Sequence, residues 1–151
     1  MDVGYKNASG NFSLRAAALI IRENKLLLAK SDSYDCYYTV GGGIQQNETS
    51  DNAVIRECYE ETGCHFEIDR LVFVQERFFS LENILHHEVV FFYLMKETNY
   101  ELYDGKNTDQ KDEHLFWVPI EEVGNINLVP AFLKTAVKKL PDGVTRIVSQ
   151  E

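Results

Sequence analysis

At 151 residues the chain has the length of one domain, long enough to bury a sizeable core. Fifteen basic against 24 acidic residues leave a net charge of −9, which argues against duplex nucleic acid as a partner, because phosphate binding needs a basic face. Cys36, Cys58 and Cys64 are odd in number and hold no C-x-x-C pair, so they propose neither a disulfide framework nor a zinc site and point to a reducing, cytoplasmic compartment.

The first seven residues are polar and unlike a secretory signal. Apolar stretches at 14–21 and 25–30, separated by Arg22-Glu23-Asn24, predict a hairpin. The run 16–21 is far too short to span a bilayer, so no membrane partner is expected. Residues 36–40 predict a short strand leading into Gly41, Gly42 and Gly43, read as a loop that permits positive φ and close approach of the backbone to a ligand. A helix is predicted over 49–62. Thr49 or Ser50 caps it, Asp51 suits its first turn, Ala53, Val54 and Cys58 form an apolar stripe, and Gly63 ends it. Residues 66–79 and 86–96, rich in Val, Phe and Ile, predict strands. A long polar excursion follows over 97–112, a length often tied to function. Then come a strand at 114–118, one helical turn opened by Pro119, and an amphipathic helix over 130–140 with Phe132, Leu133, Ala136, Val137 and Leu140 inward. Strands bracketing two helices give an α/β fold, a mixed β-sheet between helical layers, with no internal repeat or linker.

The predicted helix gathers charge in a way folding alone disfavours. Glu57 and Glu61 lie four apart on one face, with Glu60 three from Glu57, and like charges at these spacings repel by roughly 0.2–0.5 kcal/mol per pair. They also crowd the negative end of the helix dipole. From 48 to 69 seven acids stand against the single Arg56, a net of −6. Arg56 reaches Glu60 at four residues but cannot balance three carboxylates. A divalent cation held by carboxylate oxygens offsets both penalties. The competing reading is an ordinary solvated acidic face. The longer spacing decides against it: Gly42, Glu48, Arg56, Glu57, Glu60, Glu61 and Gly63 follow G-x5-E-x7-R-E-U-x-E-E-x-G-U, where U is apolar. A chance match at ordinary residue frequencies is on the order of one in a million.

This pattern resembles the signature of the Nudix hydrolases at all seven fixed positions. Both U positions are cysteine, Cys58 and Cys64, and Val40 stands where many members have proline. The resemblance implies an α/β/α sandwich around a mixed sheet and hydrolysis of a nucleoside diphosphate linked to another group. It implies Mg²⁺, with Mn²⁺ as a substitute, bound by Glu57, Glu61 and Glu60 with the Gly41 carbonyl. Glu48 and Arg56 resemble the supports that orient the glutamates. Hard cations prefer these oxygens, and a pyrophosphate needs its charge screened before water can attack. For the general base two candidates stand, Glu57 within the motif and Glu113 at the start of the strand beyond the polar excursion; a plain surface acid is the competing reading for Glu113. A homodimer is an admissible assembly by the same resemblance.

Several side chains outside the motif are candidates for the substrate. Tyr34, Tyr37, Tyr38, Phe78 and Phe79 sit near strand ends where aromatics stack nucleobases, and Arg15 and Arg77 are candidate phosphate partners. From these, Arg15, Tyr38 and Phe78 are singled out. His86 and His87 point to opposite faces of a strand and do not share an ion. The segment 76–81 carries neither the proline nor the tyrosine that marks some Nudix subgroups, so a nucleoside triphosphate and a nucleotide-sugar are both admissible small-molecule substrates. The alternative function is a catalytically silent nucleotide-binding sensor; a calcium module lacks the Asp-x-Asp-x-Asp-Gly spacing.

Overall fold

A computed structural model describes residues 1–99 and 113–151; most of the polar excursion, residues 100–112, lies outside the described residues. The chain opens with β1 (Gly4–Asn7), β2 (Gly10–Leu19), β3 (Ile21–Arg22), β4 (Lys25–Ser31) and β5 (Tyr37–Gly43), then α1 (Ser50–Thr62). There follow β6 (Ile68–Leu81), β7 (Ile84–Met95), β8 (Glu113–Pro119), a 3-10 turn (Ile120–Asn125), β9 (Leu128–Val129), α2 (Leu133–Ala136) and β10 (Thr145–Gln150). The strands form one mixed sheet ordered β10-β6-β7-β2-β5-β4-β3, with β1, β8 and β9 attached to β2, β4 and β5. β2 is parallel to β7 and antiparallel to β5.

Side chains on a strand alternate between faces, and β2 shows what that achieves. Ala16, Ala18 and Ile20 pack with Ala53, Val54 and Cys58 of α1. Ala17 and Leu19 pack on the other side with Val123, Leu128, Leu133 and Val137. Two cores result, one under each helical layer, so the α/β sandwich expected from the sequence is the observed architecture. The hairpin is narrower than expected: β2 ends at Leu19, and only β3 turns back onto β4, through Glu23 and Asn24, both at positive φ. Two residues at positive φ match the twist of paired strands. Glu82 and Asn83 join β6 to β7 in the same way.

Two expectations need correction. Gly41, Gly42 and Gly43 lie in β5 and none has positive φ. They are glycine because of space: a Cβ on Gly41 would strike the Ala16 carbonyl and come within 2.8 Å of Ala17 Cα, and one on Gly42 would strike the carboxylate of Glu57. The helix over 130–140 contracts to α2, four residues within a series of turns. Leu133, Lys134 and Lys138 donate to the third residue back, and the Thr135 hydroxyl competes for the Phe132 carbonyl. So short a segment gains little from helical cooperativity, and 3-10 bonds take over. Its inward face survives, with Leu133 and Val137 buried and Phe132, Ala136 and Leu140 packed beside them.

Candidate active site

α1 is set by its ends. The Thr49 hydroxyl accepts from the Asn52 amide at 3.4 Å, and Gly63 at φ 75° closes the helix by donating to the Tyr59 carbonyl. Packing the Ala53-Val54-Cys58 stripe on the sheet turns Glu57 and Glu61 inward too, at 9% and 4% exposure. Glu60, three from Glu57, stays exposed at the rim.

Arg56 is the hub of one network. Its Nε and Nη2 donate to the two oxygens of Glu48 at 2.8 and 2.9 Å, a bidentate pair. Nη1 donates to Glu57 Oε1 at 2.8 Å and reaches Glu60 at 3.3 Å, while Nη2 meets the Gly43 carbonyl at 3.0 Å. Glu48 further accepts from the Gln45 amide at 3.0 Å. The guanidinium holds Glu48 below the usual carboxylate range. Glu57 shifts the other way: burial raises it, and Arg56 only partly offsets this.

A second group lines a cavity of about 430 Å³ beside Glu61. Glu61 Oε2 accepts from the Gly41 amide at 3.1 Å. Its carboxyl is pushed well above the normal range by burial, and by repulsion from Glu113 and Glu57. Glu113, at the start of β8, is 2% exposed, which overturns its reading as a surface acid. The Tyr38 hydroxyl donates to Glu113 Oε2 at 2.6 Å, and burial with this acceptor raises the phenol far above its ordinary value. Arg15 lines the same cavity, and its charge is felt at both Glu57 and Glu61. Tyr34 reaches the rim, while Tyr37 packs edge-on against Phe116.

Phe78 stands elsewhere. It shares a strand with Gln75 and Arg77 but points to the opposite face, stacks on His87 at 4.3 Å and lines a different hollow with Tyr5 and Leu85. Phe79 stacks on His86. Arg77 lines the Glu61 cavity, held by Glu151 at 2.9 Å and Glu88 at 3.5 Å. Sequence reasoning passed over Gln75 and Glu88 here. The available signal was a short polar run, Gln75-Glu76-Arg77, inside an otherwise apolar strand.

Among the described residues no three acidic, histidine or cysteine side chains already converge on one point, because Glu57 and Glu60 turn toward Arg56. The donor set still fits a hard divalent cation. Glu57 lies against Gly42 in a cradle that a Cβ would fill, and the buried carboxylates of Glu57 and Glu61 repel each other.

The family model described as NUDIX domain matches residues 12–140. Diphosphoinositol polyphosphate phosphohydrolase 3-alpha of Mus musculus is 33% identical over 115 residues, covering 74% of this chain and 66% of the relative. Diphosphoinositol polyphosphate phosphohydrolase 2 of Homo sapiens is 30% identical over 115 residues, covering 74% of this chain and 60% of the relative. The match thus spans less than two thirds of the length of these relatives. Among solved structures, the mMutator MutT protein from Bacillus halodurans superposes with a TM-score of 0.73 at 16% identity, over 91% of this chain and 90% of that one. The E. coli ORF135 protein gives 0.61 at 23% identity, over 84% and 87%. At these identities the superpositions establish the fold.

Proposed function

Since the chain belongs to the NUDIX domain family, we propose that it hydrolyses a pyrophosphate linkage in a nucleotide, either a nucleoside triphosphate or a nucleotide-sugar. The observation that carries this reading is Glu61, a buried carboxyl hemmed in by Glu57 and Glu113 at the wall of a cavity that also holds Arg15. Folding has no use for such a cluster; binding a cation and a phosphate does. Glu57, Glu60, Glu61 and the Gly41 carbonyl are the groups that would hold Mg²⁺ or Mn²⁺. The bound ion supplies charge neutralisation for the phosphates and the departing oxygen.

The remaining work falls to the chain itself. Arg56, fixed by Glu48, holds Glu57 and Glu60 by hydrogen bonds and so limits the positions their carboxylates can take. Arg15, which lines the cavity, would oppose the negative charge of a phosphate bound there. Glu113 takes the proton as the water oxygen attacks phosphorus and the bridging P–O bond breaks to the leaving phosphate. Its place in the lining of the cavity beside Glu61 supports Glu113 over Glu57 as the base.

The test is release of phosphate or pyrophosphate from a nucleotide panel, with and without Mg²⁺, by the wild type, Glu57→Gln and Glu61→Gln. Activity dependent on the ion and lost by at least about a hundredfold in both variants is expected. Equal turnover by all three proteins would sink the reading. Further, Glu113→Gln should remove the acidic limb of the pH–rate profile, whereas in Glu57→Gln that limb persists in the residual activity.

A further inference from the structure

The cavity beside Glu61 contains a polar group that the proposed reaction does not use. Gln75, on β6, is 0% exposed and lines that cavity. Its Nε2 donates to the Ser149 hydroxyl on β10 at 3.0 Å, while its Oε1 is buried and meets no hydrogen-bond partner among the described residues. A hydroxyl both donates and accepts, so turning the amide over leaves the other amide atom unmatched instead. Either way, one hydrogen-bonding atom is buried beside the cavity without a partner among the described residues. Buried amides are rarely left so, and an unmatched one in a ligand-sized cavity is commonly satisfied by the ligand.

The rest of the lining limits what that ligand is. Ala17, Val90, Phe92 and Val129 make apolar walls. Of the two described cations, Arg77 is already held by Glu88 and Glu151, and Arg15 lies toward Glu57 and Glu61. Glu61, Glu88 and Glu113 are the acidic groups of the described lining. Such a lining suits an uncharged planar group and, with only Arg15 and Arg77 as cations among its described residues, offers few partners to a ring bearing several phosphates, the kind of compound named for the mouse and human relatives.

We propose that Gln75 is a specificity-determining residue: its unmatched amide atom hydrogen-bonds the edge of a nucleobase seated between these apolar walls, and thereby selects among bases. The inference rests on the pyrophosphohydrolase reading of the site. A pocket built to hydrogen-bond a substrate group rejects analogues lacking that group far more strongly than an apolar pocket rejects a change of size.

The experiment measures kcat/KM for ATP, GTP, CTP, UTP and a diphosphoinositol polyphosphate with the wild type, Gln75→Met and Ser149→Ala. The wild type should prefer one base over the others and over the diphosphoinositol compound. Gln75→Met should lower kcat/KM for the preferred base by about 10- to 100-fold while changing the poorer ones little, so that the ranking collapses. Ser149→Ala should keep the ranking, because it removes only the anchor. A loss by the same factor for every substrate would assign Gln75 a purely structural role and overturn the proposal, as would a wild type that prefers the diphosphoinositol compound. Should Gln75→Met not fold, Gln75→Leu, which also lacks both amide atoms, reads the same ratios. If the wild type turns over nothing, the hydrolase reading fails, and equilibrium binding of the four nucleosides decides the rest: a base preference that Gln75→Met erases upholds the Gln75 assignment, and no preference overturns it.

Discussion

The Tyr38 hydroxyl donates a 2.6 Å hydrogen bond to Glu113 Oε2, joining β5 to the first residue of β8 across 75 positions of chain. No local spacing announces this pair, yet it sets an acid beside Glu61 and removes water from around it. Tyr38→Phe deletes the donor and leaves a buried carboxylate short of one bond. Urea unfolding should report a loss of about 1–3 kcal/mol with the m-value unchanged.

Glu48 should make the fold acid-sensitive. Its folded pKa lies below the ordinary value because Arg56 bonds both of its oxygens. The stabilisation is therefore fully present above the unfolded pKa, near 4.3, and is lost as pH falls through the lower folded value. Glu48→Gln is expected to lose about 1 kcal/mol at pH 7 and to show a shallower decline below pH 4. Urea midpoints across pH 3–7 check this.

Glu61 has the opposite sign. Burial and its acidic neighbours raise the folded pKa, so stability declines as pH rises from about 4.3 toward the raised value. At pH 7 without added metal, Glu61→Gln should be more stable than the wild type by about 1 kcal/mol, or roughly 2–4 °C in Tm, since the amide oxygen can still accept from Gly41. Mg²⁺ should raise the Tm of the wild type, chelation should reverse that rise, and neither should move the variant. Differential scanning calorimetry with and without EDTA reads all four values.

Two neighbouring glycines should fail differently. A Cβ on Gly41 meets the backbone of Ala16 and Ala17, which has nowhere to go, so Gly41→Ala should destabilise by about 1–3 kcal/mol. A Cβ on Gly42 meets the far end of Glu57, which can swing aside. Gly42→Ala should keep most of its stability while losing about a hundredfold in kcat, because the displaced carboxylate is the one Arg56 positions. Thermal melting and steady-state rates on the two variants separate the cases.

What could be read from the chain lies within short reach. Thr49, the Ala53-Val54-Cys58 stripe, the acids at 57, 60 and 61 and Gly63 all act within a few turns of one helix, where spacing equals geometry. The placing of strands on either side of two helices likewise announced a mixed sheet between helical layers. Tertiary pairing decided the rest. It turned three glycines from a flexible loop into a strand pressed against its neighbours, drew Glu113 into the interior through Tyr38, sent Phe78 to the far face, and left Gln75 buried beside a cavity bounded by strands distant in sequence. A side chain's face and burial depend on strand register and on which strands become neighbours, and those follow from the packing of the whole sheet.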